Sequence, residues 1–300
     1  MLLDLKDLSI PVRQHYLQHA IAPRPICFAS TIDKEGNVNL SPFSFFNLFS
    51  SNPPIVIFSP SRRARDGSTK HTLENVLEVP QVVINIVDFD MVQQTSLASC
   101  EFPHKMDEFI KAGFTKEPAT LVKPPMVRES KIKFECYVRE IKSLGQEGGA
   151  GNLVICEIVR MHIDDSILDE KKEIDQRRIH HVARLGGDWY CRVDESNLFE
   201  VGKPDIKTGI GIDALPASVR NSHIFSGNDL GLLGSVSELP SIDLSFDDPR
   251  LKDIIQYFSV SPEEMEVELQ HHAKYLLGCG RVKEAWQILL YNQGEWISNP

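Results

Sequence analysis

Pro23-Arg24-Pro25-Ile26-Cys27-Phe28-Ala29-Ser30-Thr31-Ile32, then Asp33-Lys34-Glu35-Gly36-Asn37, then Asn39-Leu40-Ser41-Pro42-Phe43-Ser44-Phe45-Phe46-Asn47, is the stretch that decides the fold. Two β-like runs flank a polar segment containing Gly, which reads as a hairpin. Asn52-Pro53-Pro54 breaks the pattern, and Ile55-Val56-Ile57-Phe58-Ser59 reads as a buried strand. Arg62-Arg63-Ala64-Arg65-Asp66-Gly67-Ser68-Thr69-Lys70-His71-Thr72 then leads into a short amphipathic helix that stops before Pro80.

Basic and hydroxyl groups gather where that helix starts. The first turn of a helix carries N–H groups without intrahelical partners and a partial positive charge, so an anion such as phosphate is favoured there. Ser68, Thr69 and Thr72 supply hydroxyls and Lys70 a full charge. The plainer alternative is that Ser68 or Thr69 caps the helix. No Gly-rich nucleotide fingerprint accompanies the run.

Downstream, Gln81-Val82-Val83-Ile84-Asn85-Ile86-Val87 is rich in β-branched residues and predicts a buried strand. Asn85 inside it needs partners, either a cofactor or neighbouring backbone. Residues 90–112 predict helix, broken at Glu101-Phe102-Pro103 and ending before Gly113. Residues 131–141 and 152–163 predict two further strands around a Gly-rich turn at 145–151. Residues 4–20 read as a short lead-in. Six or seven strands with few intervening helices favour an antiparallel barrel over a doubly wound parallel sheet.

The 300-residue chain is long for one domain, and its formal charge of −10 argues against a surface built for nucleic acid. Cys27, Cys100, Cys136, Cys156, Cys191 and Cys279 are scattered, without the pairing of a zinc or dithiol motif, so they read as reduced thiols and no metal ligand set is expected. No run approaches membrane-spanning length, and the N-terminus lacks a basic region followed by a long apolar core. The expectation is a soluble, cytoplasmic protein.

Taken together, Pro23-Arg24-Pro25-Ile26, Ser30-Thr31, residues 39–47, Pro53-Pro54, Lys70-His71-Thr72-Leu73-Glu74-Asn75 and Val83-Ile84-Asn85-Ile86 resemble the flavin reductase-like family of FMN-binding split barrels, flavoredoxin-type members included. Phe134-Glu135-Cys136, the run ending at His162-Ile163-Asp164-Asp165, and Arg184-Leu185-Gly186-Gly187-Asp188-Trp189-Tyr190 agree. The resemblance covers roughly residues 10–192. It implies a mainly β fold with helices, a split β-barrel over residues 1–194, holding FMN at the interface of a homodimer. It implies that Ser30 and Thr31 face the flavin ring, and that Asn39, Ser41, Pro42, Phe43 and Ser44 line its edge and the ribityl chain. Arg24, Phe46, Asn47 and Ser59 are further candidates. Lys70, His71 and Thr72 would hold the phosphate. The family often has Asp where this chain has His71; an imidazole there favours an anion electrostatically but removes an acceptor.

The implied activity is NAD(P)H-dependent reduction of a flavin or flavoprotein. A flavin-binding or electron-transfer protein that does not use nicotinamide directly is the alternative, and a barrel of the pyridoxamine-phosphate-oxidase type is a third. Such chemistry belongs largely to the cofactor, so no acid–base triad is expected. His162, His180 and His181 are candidates for polarising a substrate or covering the ring, with surface or packing roles as the plainer alternative, and Arg184 is a candidate for a contact at the edge of the site or a salt bridge to one of the many acidic residues.

Residues 195–300 form an accessory region. Gly202 to Pro240 reads as an irregular wrapping segment. Ser261-Pro262-Glu263-Glu264 predicts a helix start closed by a capping box. Met265, Leu269, Ala273, Leu276 and Leu277, then Val282, Ala285, Trp286, Leu289 and Leu290, recur at helical spacing on either side of Gly278-Cys279-Gly280. A two-helix hairpin cannot bury such stripes alone, so it is expected to dock on the barrel, on the dimer mate or on another protein, with docking within the homodimer favoured.

Overall fold

In the computed structural model the described residues are 1–202 and 209–291, and the chain forms two compact units, Met1–Phe199 and Glu200–Pro300. The first unit begins with helix α1 (Ile10–Ala20), where a lead-in was expected, with Pro11 in its first turn. Strands β1 (Arg24–Pro25), β2 (Cys27–Ile32), β3 (Val38–Phe43), β4 (Phe46–Ser51) and β5 (Pro54–Phe58) follow. Helix α2 (His71–Glu78) then precedes β6 (Gln81–Ile86), and α3 (Val92–Ala98) and α4 (Glu108–Ala112) precede the short β7 (Lys116–Glu117) and β8 (Met126–Val127). The long pair β9 (Ile132–Ser143) and β10 (Asn152–Ile163), helix α5 (Gln176–Ile179), β11 (Val182–Arg184) and β12 (Tyr190–Arg192) complete the unit.

Seven strands form one antiparallel sheet in the order β3-β2-β6-β9-β10-β5-β4. Its two edges, β3 and β4, are consecutive in the chain and joined only by Ser44 and Phe45. A two-residue link cannot span an open seven-stranded sheet, where neighbouring strands lie about 4.8 Å apart. The sheet therefore curls until its edges approach at this corner without pairing, a split barrel. Residues 39–47, expected as one run, are thus divided at the seam. Pro42 fits because β3 is an edge strand and needs no N–H on that side.

Alternation explains why every residue of β2 is buried. Cys27 and Ala29 point into the barrel with Phe43, Val56, Phe58, Ile84, Cys136, Val154 and Cys156. Phe28, on the opposite face, packs with Leu40, Met91, Ala98, Phe109 and Phe114 beneath α3 and α4. Helix α4 stops at Gly113, which adopts φ +72° and so suits a residue without Cβ. The six cysteines are unpaired, and burial pushes the thiols of Cys27, Cys136 and Cys156 up.

The second unit is helical: α6 (Ala217–Arg220), α7 (Gly227–Gly234), α8 (Pro249–Phe258), α9 (Pro262–Gly278) and α10 (Val282–Tyr291). Helices α6 and α7 lie inside the segment expected to be irregular, and residues 203–208 of that segment are outside the described residues. The hairpin of α9 and α10 forms as expected, turning at Gly280 with φ +74°. Its stripes do not need the barrel: Leu269, Ala273, Leu276, Trp286 and Leu289 share a core with Leu215, Val219, Phe225, Leu233, Leu251 and Ile254 of the same unit. Helix α8 supplies two of these, started by Asp248, whose carboxylate accepts from the Leu251 N–H, and by Pro249 in its first turn. Ser261 occupies the cap position of α9, yet its side chain makes no capping bond, so the expected capping box is absent.

Candidate functional site

The barrel seam opens into a cavity of about 880 Å³ within the first unit. Its floor is the seam itself: Pro42, Phe43, Ser44 and Phe45. One wall is α1, through Ile10, Arg13 and Leu17; another is the segment after β5, through Ser59, Ser61, Arg62 and Arg63; Lys70 and Glu101 stand beside it. The Gly-rich β9–β10 turn closes the remaining side with Leu144, Gly148 and Ala150.

Backbone contacts hold the arginine segment in place. The Arg62 N–H donates to Ala150 O (2.8 Å), and the Gly149 N–H donates to Arg62 O (3.0 Å). A Cβ at Gly148 would lie 2.8 Å from Ala64 O, so this close approach of two backbones requires glycine. Asn152 is buried and ties its amide to Pro60 O at 3.0 Å. Asp66 fastens the tip by accepting from the Ser68 hydroxyl and N–H, which hold its carboxyl down at about 2.

The lining is strongly cationic. Its charged residues are Arg13, Arg62, Arg63, Arg65 and Lys70 against Glu101 and Glu147, and Arg65 also pairs with Asp66. Arg62 donates to Gly67 O (3.0 Å) and to Gln146 (2.8 Å), and Arg63 to Glu101 (3.2 Å), the Ser68 hydroxyl (3.1 Å) and Thr69 O. The Nε atoms of Arg13 and Arg62 are buried without a hydrogen-bond partner. Lys70 has no carboxylate within ion-pair distance among the described residues; its ammonium lies 5.3 Å from the centre of the Phe43 ring. Burial, and then the Arg63 charge, push the Lys70 pKa down. A half-buried ammonium without a counter-ion is costly by itself. The arrangement suits an anion entering from the cavity.

Of the residues proposed from sequence, Pro42, Phe43, Ser44, Ser59 and Lys70 meet at this cavity. The others lie elsewhere. Arg24 braces the end of α1, donating to Gln18 O (2.7 Å), Ile21 O (2.6 Å) and Leu185 O (2.9 Å). Thr72 donates to Asn39 (2.7 Å), whose amide donates to the buried Glu108 (2.9 Å), a carboxyl pushed up by its burial. This chain of bonds pins α2 and α4 to β3. Thr31 accepts from Asn75 (3.1 Å), and the buried Ser30 hydroxyl has no partner. Ser41 and Phe46 are half-buried in the edge strands, and Asn47 is exposed and accepts from the Leu48 N–H. His71 faces His104.

Neither reading of the 68–72 hydroxyls matches their bonds. Lys70 holds the cap position of α2 without a side-chain cap, while Ser68 turns to Asp66 and Thr69 to Glu74. Asn85 bonds backbone, donating to Val83 O and accepting from the Val127 N–H. His162 pairs with Glu135 (2.7 Å). Arg184 stacks on Tyr190 at 4.4 Å, beside a separate groove of about 420 Å³. Arg62, Arg63 and the 145–151 turn are site residues that were visible in the sequence only as a charge cluster and a Gly-rich turn. Arg13 gave no signal.

The sequence matches the model of the flavin reductase like domain over residues 19–182. The chain belongs to the flavin reductase-like family. An uncharacterised protein of Halalkalibacterium halodurans is 33% identical over 208 residues, 69% of this chain and 98% of that protein. Among solved structures, nitrilotriacetate monooxygenase component B from Bacillus cereus is similar with TM-score 0.62 and 27% identity over 67% of this chain and 98% of that one. A Shewanella frigidimarina protein described as a flavin reductase with a split barrel domain gives TM-score 0.57 and 27% identity over 66% and 96% of the two chains. The family makes this chain a flavin-associated oxidoreductase. Its second unit lies beyond the matched residues.

Proposed function

We propose that the protein binds FMN at the barrel seam and uses it to pass electrons from NADH or NADPH to a flavin or flavoprotein acceptor. The observation that carries the FMN reading is Lys70, an unpaired and partly desolvated ammonium at a cavity of about 880 Å³ whose lining also holds two orphaned guanidinium Nε atoms. A volume of this order suits a cofactor-sized ligand. The donor set fits a mononucleotide: cations for a phosphate, hydroxyls of Ser44, Ser59 and Ser61 for a polar chain, and apolar Ile10, Leu17 and Phe43 for a ring system.

Bound flavin would supply the hydride and electron transfer. Lys70, Arg62 and Arg63 would neutralise the phosphate and anchor that end. The seam residues Pro42 to Phe45 would position the ring, and α1 would exclude water from it.

A homodimer is part of the proposal. Edge strand β4 and the seam expose Phe45, Leu48 and Phe49 at 44%, 59% and 62%. Three apolar side chains beside an unpaired sheet edge favour a second copy of the chain as cover. Titrating the purified apo-protein with FMN and following flavin fluorescence tests the cofactor. Adding NADH or NADPH anaerobically to the complex then tests the donor: bleaching of the flavin absorbance supports the reductase, and its absence favours the electron-transfer alternative. A protein that leaves FMN fluorescence unchanged refutes both.

A further inference from the structure

His71 is the first residue of α2, Glu74 stands one turn further along, and His104 comes from the connection between α3 and α4. One ligand atom from each lies within 4.8 Å of the others, and the two imidazole rings meet edge to face with centroids 5.1 Å apart. None of the three lines the flavin cavity, and His71 and His104 instead border a separate crevice with Asp33, Asn37 and Glu108. Residues 33 and 30 positions apart in sequence are thereby brought to one point.

The geometry points to a transition-metal site formed by His71, Glu74 and His104, with zinc as the ion it fits best. Two imidazoles and one carboxylate are borderline donors that suit Zn²⁺, Ni²⁺ or Cu²⁺ far better than Mg²⁺ or Ca²⁺. Zinc bonds of about 2.0–2.1 Å in a tetrahedron put ligand atoms roughly 3.4 Å apart. Closing from 4.8 Å requires movement of about 1.5 Å, which the exposed His104 side chain can supply. Glu74 is already oriented, because the Thr69 hydroxyl donates to its Oε1 and leaves Oε2 for an ion. Such an outer hydrogen bond is the device that fixes a ligating carboxylate.

Three features oppose a cation here: the positive end of α2, the Arg63 guanidinium, which acts on His71, and Lys105, which lines the crevice and pairs with Glu35. Arg63 is itself paired with Glu101, and the carboxylates of Asp33 and Glu108 share the crevice. With three protein donors the fourth position stays with water, so the site would be an accessible one.

The test uses the full chain, stripped with EDTA and dialysed, titrated with Zn²⁺ by calorimetry and with Co²⁺ by visible absorption. The expected result is one Zn²⁺ per chain and tetrahedral cobalt bands. His71→Ala and His104→Ala should each remove that binding by more than the roughly 10- to 100-fold that follows loss of an outer partner, and Thr69→Val should weaken it by about 10-fold. The tilted pair His15 and His19 on α1, 4.1 Å between ring centres, is the competing site. The double variant His15→Ala/His19→Ala should therefore keep the zinc. Zn²⁺ should also raise the melting temperature of the wild type and leave that of His104→Ala unmoved, and since His104 is exposed this variant should melt like wild type without metal. No uptake, uptake unchanged in both His71→Ala and His104→Ala, or uptake lost with His15 and His19, would overturn the assignment. The titrations are run without FMN, because Arg63 acts on both His71 and Lys70 and a bound phosphate there would alter the charge at the metal site.

Discussion

Lys70→Ala is the substitution that separates the phosphate from the ring. In the wild type the ammonium has no carboxylate within ion-pair distance among the described residues and lies 5.3 Å from the centre of the Phe43 ring. Removing it leaves no acid unpaired. A charge-assisted hydrogen bond contributes about 1.5–3 kcal/mol, and 1.4 kcal/mol is a factor of ten, so Kd for FMN should rise roughly 10- to 100-fold. Riboflavin lacks the phosphate and should lose less than about threefold, since only packing around the side-chain stem changes. Fluorescence titration of both ligands, with circular dichroism as a folding check, gives the ratio directly. Lys70→Arg should retain most of the FMN affinity by keeping the charge. Stability should move the opposite way. The fold lowers the Lys70 pKa, so it disfavours the charged form, and the penalty is fully present below the folded pKa and fades as pH rises toward the unfolded value. At pH 7 apo Lys70→Ala should thus melt no lower than apo wild type. Equal losses for FMN and riboflavin, or no loss for either, would refute the placement of the phosphate at this residue.

Light scattering should return about twice the chain mass of 33.9 kDa, and Phe49→Asp should shift the protein toward monomer; an unchanged mass would move the interface away from β4. Glu135 is buried and accepts from the Thr120 hydroxyl, from His162 and from the N–H groups of Leu121 and Thr120, which together outweigh burial and bring its carboxyl down to about 2. Glu135→Gln should cost about 3 kcal/mol at pH 7, and because the depressed carboxyl loses its contribution as pH falls, the gap should close between pH 5 and pH 2; a gap independent of pH would contradict this. Trp286→Ala should destabilise the second unit by about 3–5 kcal/mol, seen as an earlier loss of helical signal. A chain ending at residue 199 should stay folded and bind FMN, because the α9–α10 stripes already have a core within their own unit; aggregation of that chain would show that the barrel needs the rest.

How much of this was legible in the sequence depended on the range of the interaction. Strands β2, β5, β6, β9 and β10 were readable because alternation and β-branched runs are local signals. The division of residues 39–47 was not, since both halves have strand character and the break at Ser44 is imposed by closure of the sheet. Helix α8 was overlooked although Asp248-Pro249 marks its start and Leu251, Ile254, Ile255 and Phe258 follow at helical spacing. That omission is why the hairpin seemed to need a distant surface. The family motifs, by contrast, carried the barrel correctly across residues that alternation alone left ambiguous.

The site was legible in its charge and opaque in its geometry. Lys70 was found because a cation at a helix start is a local pattern, but its neighbours Ser68, Thr69 and Thr72 spend their hydroxyls on Asp66, Glu74 and Asn39. A hydroxyl next to a lysine in sequence can point to any of several acceptors, and long-range acceptors such as Asn39, 33 positions away, leave no trace in the local pattern. The same argument applies to the other side of the cavity. Arg62 faces it only because Gly148 lets the β9–β10 turn lie against the 62–64 backbone. A Gly-rich turn reads as flexibility in sequence; here it is a contact surface. Gly148→Ala should therefore disturb the arginine segment rather than the turn, and with it the part of the lining that carries Arg62, Arg63 and Lys70.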